Sequence, residues 1–186
     1  MRMRNVYTVN KPVAEYVTDL LSERPLWFAF DEPLYEAVDA LLDNHKGAGG
    51  VLGGDGRLIG MITERQVLRY LFFSRNLTPR ERLRVLFKEV DNFTVGNVMI
   101  GSPICLSART QIETALGEIT RRGFRYMPVV DTSESKRYLG VVHVQELHMA
   151  TREKYRQQLH HKDTLLSYFM HGDDYGGLHQ NAFIVS

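Results

Sequence analysis

The chain repeats itself, and that repeat constrains its fold more than any other feature. A shift of 78 residues lays Val17, Leu21, Pro25, Leu34, Ala37, Val38, Leu41 and Val51 onto Val95, Met99, Pro103, Ile112, Ala115, Leu116, Ile119 and Val129. Every pair keeps its apolar or proline character. Past a turn the offset becomes 80, matching Leu58, Gly60, Met61, Ile62 and Val67 to Tyr138, Gly140, Val141, Val142 and Leu147. The second copy therefore carries a turn two residues longer, where insertions are tolerated. A period of this length marks one supersecondary unit used twice.

Each copy reads as strand, helix, strand, strand, helix. LWFAF after Pro25 and ICLS after Pro103 are short apolar runs bounded by breakers, as buried strands require. A helix follows in each. Pro33 suits a first helical position ahead of an apolar face of Leu34, Val38, Leu41 and Leu42. In the second copy Thr110 and Glu113 have capping-box spacing before Ile112, Ala115, Leu116 and Ile119. Hairpins are expected from GVL and LIGMIT around Gly-Gly-Asp-Gly, and from YMPVVD and YLGVVH around TSESKR. The last helices begin after Thr63 and His143. This is an α/β (α+β) class, with mixed sheets and helices against one face. Between the copies, Thr78, Pro79 and Glu81 start a linker helix whose stripe is Leu83, Leu86, Phe87 and Val90. That stripe closes the module's own core or meets a second chain. The expected limits are an extension over 1–11, copies over 12–74 and 94–151, the linker over 75–93, and a helix end and tail over 152–186.

The repeat resembles the tandem CBS (cystathionine β-synthase) domain pair over roughly residues 12 to 151. The motifs that carry the likeness are the lead-ins before Pro25 and Pro103, RRGFRYMPVVD, and the endings GMITERQVL and GVVHVQEL. It implies two pseudo-symmetric domains packed sheet to sheet, forming flat homodimers. It also implies a regulatory role: binding an adenosine-containing ligand of the AMP, ADP, ATP or S-adenosylmethionine type between the domains. No cofactor is required for that role. With no catalytic domain alongside, the output would pass to a separate effector protein. A ligand-free dimeric interaction or scaffold protein is the alternative.

In this family a Thr or Ser ending the third strand meets phosphate or ribose, an Asp three residues on accepts the ribose hydroxyls, and backbone near the first strand reads adenine. Here the first copy has Thr63 followed by Gln66, and the second has His143 followed by Glu146. Neither holds the full pair. Glu146 keeps the charge of a carboxylate, which makes the second copy the expected ribose site, and Arg125 beside it would neutralise phosphate. Cys105 on the first strand and Tyr126 and Met127 on the second complete the candidate ligand-binding set. Structural roles compete for these residues: Thr63 with Gln66 is also a capping box, Glu146 also suits a helix N-terminus, and Arg121 and Arg122 suit a helix end.

Other chemistry finds little support. Charges of 23 Lys and Arg against 22 Asp and Glu supply no field for nucleic acid or anionic membrane. No run of about 18 apolar residues spans a bilayer. Cys105 is the single cysteine, which excludes an internal disulfide and fits the cytoplasm. GAGGVLGGDG lacks the Gly-Lys-Ser/Thr of a phosphate loop, and no nucleophile stands in a catalytic motif, so the chain is not expected to be an enzyme. His160, His161, Asp163, His171, Asp173, Asp174 and His179 crowd the tail without a metal-site spacing, and no metal is assigned. Leu165, Leu166, Tyr168 and Phe169 form an apolar cluster there, expected to fold back or to dock.

Overall fold

The computed structural model describes residues 14–43, 47–73, 78–80 and 93–171, with the side chains of 161 and 163–171 excepted. The extension, all of the linker helix but Thr78–Arg80, and the tail from residue 172 lie outside the described residues.

Both copies adopt the expected order. In the first, β1 (Trp27–Ala29) leads through α1 (Leu34–Asp43) to β2 (Ala48–Leu52), β3 (Leu58–Thr63) and α2 (Glu64–Phe73). In the second, a short β4 (Ile100–Gly101) precedes β5 (Leu106–Ser107), α3 (Ile112–Arg121), β6 (Tyr126–Val130), β7 (Tyr138–His143) and the long α4 (Val144–His171). Each sheet is mixed. The first strand of each copy runs parallel to the second, and the second is antiparallel to the third. β4 extends the first sheet by pairing with β3 at Gly60 and Met61.

The copies exchange their lead-ins. Tyr16 bridges Gln111 and Thr94 bridges Pro33, and each bridge is the image of the other under the 78-residue shift. The Val17 amide donates to the Thr110 carbonyl at 3.0 Å, as the Val95 amide donates to Glu32 at 2.9 Å. Val17 is thereby buried in the second core with Ile112, Ala115, Ile119 and Leu147. Val95 and Val98 are buried in the first, with Leu34, Leu41, Val67 and Leu71. A fully buried valine contributes about 1.5–3 kcal/mol, so each core is completed by the other copy's lead-in.

The structure departs from two local expectations, the first because of this exchange. Gln111, not Thr110, is the N-cap of α3 and makes no side-chain cap bond. The Thr110 backbone is taken up by Val17, and Glu113 turns instead to Lys154 of α4 at 2.5 Å. Leu42 leaves the apolar face of α1 and is 57% exposed; Ala37 takes its place against the core.

The two sheets meet face to face about a pseudo-twofold axis. Arg57 bridges its own image Arg137, and the Leu58 amide donates to the Lys136 carbonyl at 2.9 Å. Leu58, Val130 and Tyr138 are buried at this junction, flanked by Leu52, Cys105 and Val141.

Candidate functional site

Crossing of the lead-ins creates two clefts, each between one copy's lead-in and the other copy's third strand and last helix. The first-copy cleft holds Thr63, Arg65, Gln66 and Arg69 against Pro103, Ile104 and the segment Gly123–Tyr126. The second-copy cleft holds His143, Gln145, Glu146 and Met149 against Ser22, Pro25, Leu26 and Ala48. Each encloses about 310 Å³. The lining positions are repeat images: Thr63 of His143, Arg65 of Gln145, Gln66 of Glu146, Arg69 of Met149, Ile104 of Leu26.

Their chemistry differs sharply. In the first-copy cleft Thr63 is nearly buried, and its hydroxyl accepts the Gln66 amide at 3.1 Å, capping α2. Arg65, Arg69 and Arg125 are exposed around it, and none has an ion-pair partner among the described residues. Three exposed guanidiniums at one cleft have the charge and donor geometry that suit a phosphate. In the second-copy cleft Glu146 Oε2 accepts the His143 amide at 2.8 Å, and His143 Nδ1 accepts the Gln145 amide at 3.2 Å. This reciprocal cap fixes Nδ1 as an acceptor and leaves Nε2 to carry the proton of the neutral ring. The charged lining residue of that cleft is a carboxylate.

Tyr126 lines both clefts. Its ring lies 4.7 Å from that of His143, tilted by 47°. Burial raises its phenol above the usual range; Glu64 and Glu146 add to this, and Arg125 partly offsets it. Gly47 faces it with φ +63°, and a Cβ there would strike the Tyr126 hydroxyl.

The expected pairing of Arg125 with Glu146 is not what the backbone builds. The Arg125 carbonyl does lie beside α4, accepting the Val144 amide at 2.9 Å, but the residue lines the opposite cleft with Thr63 and Gln66. Its image is Gly47, so the second-copy cleft has no side chain at that position. Met127 is 1% exposed and its side chain belongs to the second core. Cys105 lies outside both clefts, in a separate recess with Arg57, Ser102 and Lys136. Its thiol donates to the Pro103 carbonyl at 3.2 Å and is pushed up by burial. Arg121 and Arg122 both pair with Glu118 and finish α3. Sequence reasoning missed Arg65 and Arg69, although their i, i+4 spacing just after Thr63 places them on one helix face. The backbone beside the first strands, which the resemblance assigns to adenine, is that of Leu26 in one cleft and Ile104 in the other.

In the tail region α4 continues to His171, and among the described residues no group of three His, Cys, Asp or Glu is placed to hold a metal. No described helix is long and apolar enough to cross a membrane.

The family model for the CBS domain matches residues 17–72 and 95–152. The chain belongs to the CBS domain family. Solved CBS pairs share the fold. CBSX2 from Arabidopsis thaliana superposes with a TM-score of 0.58 at 20% identity, covering 77% of this chain and 98% of its own. The structure of CBSX2 in complex with AMP gives 0.59 at 20% identity, over 74% and 97%. The CBS pair of MJ0100, in complex with 5′-methylthioadenosine and S-adenosyl-L-methionine, gives 0.58 at 18% identity, over 77% and 99%. No curated protein matches the chain in sequence.

Proposed function

We propose that this CBS pair is a regulatory sensor that binds an adenosine-containing ligand between its two domains and signals occupancy to a separate partner protein. The observation that carries the reading is the arginine-rimmed cleft: Arg65 and Arg69 from one copy face Arg125 and Ile104 from the other. A ligand there touches both copies, so it favours whichever arrangement of the copies it fits better and shifts that population. The AMP-bound and S-adenosylmethionine-bound relatives support the ligand class. The ligand is regulatory; no covalent step and no cofactor is assigned to the chain.

We take the two domains to span 12–74 and 94–151, joined by the linker over 75–93. We take the working form to be a cytoplasmic homodimer; the exposed Leu68, Phe72 and Phe73 of α2 and Met149, Tyr155 and Leu159 of α4 support the dimer, and the single cysteine fits the compartment.

A thermal-shift screen with AMP, ADP, ATP and S-adenosylmethionine tests the reading, because a ligand bound to the folded state adds about 2.7 kcal/mol at a hundredfold excess over Kd. A saturable rise in Tm is expected. A flat screen moves the function to the second reading, a ligand-free scaffold. That reading draws on the caps: the Thr63 hydroxyl and one Glu146 oxygen are already bonded to their own helices.

A further inference from the structure

We infer that Tyr138 reserves purine binding for the first-copy cleft, so that each chain takes one adenine nucleoside or nucleotide rather than two. The inference rests on the adenosine reading above and concerns which cleft can read the base.

Adenine carries an exocyclic amino group, and a backbone carbonyl with a free lone pair is an acceptor for it. At the second-copy cleft that acceptor is the Leu26 carbonyl, and both of its lone pairs are already taken. The Tyr138 hydroxyl donates to the Leu26 carbonyl at 2.8 Å and accepts the Gly50 amide at 3.1 Å. The same Gly50 amide also reaches the Leu26 carbonyl at 3.1 Å. Tyr138 is buried, and a Cβ at Gly50 would lie 2.7 Å from its ring. The missing side chain at position 50 is therefore what admits the phenol. Burial raises the phenol's pKa, so the hydroxyl stays protonated and keeps its donor.

The first-copy cleft is built from the images of these residues and comes out open. Leu58 stands where Tyr138 would be, so no hydroxyl reaches across. Pro128 stands where Gly50 would be and has no amide hydrogen to give. The ladder accordingly begins late, at Leu106, and no hydrogen bond among the described residues falls on the Ile104 carbonyl. A carbonyl with no partner among the described residues, in a cleft rimmed by Arg65, Arg69 and Arg125, fits the amino group of adenine at one end and phosphate at the other.

Calorimetric titration of the full chain tests this. Adenosine should bind wild type at one per chain, and Tyr138→Leu, which copies Leu58, should bind two, with circular dichroism confirming the fold. Two sites in wild type, or one in a folded Tyr138→Leu, would overturn the inference while leaving the sensor reading in place. A second arm does not depend on that variant folding. ATP affinity should fall at least tenfold in Arg125→Ala and stay within twofold in Glu146→Ala; the reverse pattern overturns the assignment. Absence of any binding to wild type by adenosine and ATP would remove the adenosine reading and this inference with it.

Discussion

The two clefts arise from one repeated unit and enclose the same volume, yet they offer a ligand opposite electrostatics. One is rimmed by Arg65, Arg69 and Arg125; at the matching positions the other has Gln145, Met149 and Gly47, with Glu146 close by. One leaves the Ile104 carbonyl without a ladder donor, while the other seals the matching Leu26 carbonyl with both an amide and a hydroxyl. Repetition fixes where a cleft forms, because the strand and helix ends that line it are set by the shared apolar pattern. What the cleft can bind is decided by polar positions that the repeat leaves free to differ.

The comparison can be strained by substitution. The largest effect is expected from changing Arg65 and Arg69 together to Ala: ATP should lose about 1.5–3 kcal/mol of affinity, the range for hydrogen bonds to charged groups, while adenosine is held as before. Equal losses for both ligands, read by titration, would mean that these arginines support the fold rather than phosphate. Next is Gly50→Ala, which crowds the Tyr138 ring and should cost about 1–3 kcal/mol in urea denaturation. At its image, Pro128, the repeat supplies Leu58 in place of the phenol, so Pro128→Ala should cost less. Tyr138→Phe removes one buried hydroxyl and should lower stability by about 1 kcal/mol, since Gly50 still supplies the Leu26 carbonyl. The smallest effect is Lys154→Ala, which frees α4 from Glu113. The lysine's hydrogen bond holds the Glu113 carboxyl below its ordinary range. A depressed carboxyl stabilises the fold above its unfolded pKa and ceases to do so as pH falls through the folded one. The Tm difference between wild type and Lys154→Ala should therefore be present at pH 7 and vanish in acid; a constant difference would show that the ion pair is not its source.

Much of this was legible in the sequence. The offsets of 78 and 80 placed both hairpins and both terminal helices, because apolar periodicity and turn residues act locally. What was not legible depends on partners far along the chain. Thr110 has the spacing of a cap, but its backbone is claimed by Val17, some ninety residues earlier. Arg125 sits next to β6 in sequence and next to Thr63 in space, and which cleft its side chain enters follows from how the two sheets stack. Tyr138 looks like an ordinary strand residue until the stacked sheets bring its hydroxyl to Leu26. The aligned copies do carry the signal, since Tyr138 lies over Leu58 and Gly50 over Pro128.

The most direct test of the central claim, that the crossing of the two copies builds one nucleotide cleft, is a crystal structure of the chain grown with saturating ATP. The account predicts ATP in the first-copy cleft, with its adenine amino group on the Ile104 carbonyl and its phosphates among Arg65, Arg69 and Arg125. ATP against His143 and Glu146, or both clefts empty at saturation, would contradict it.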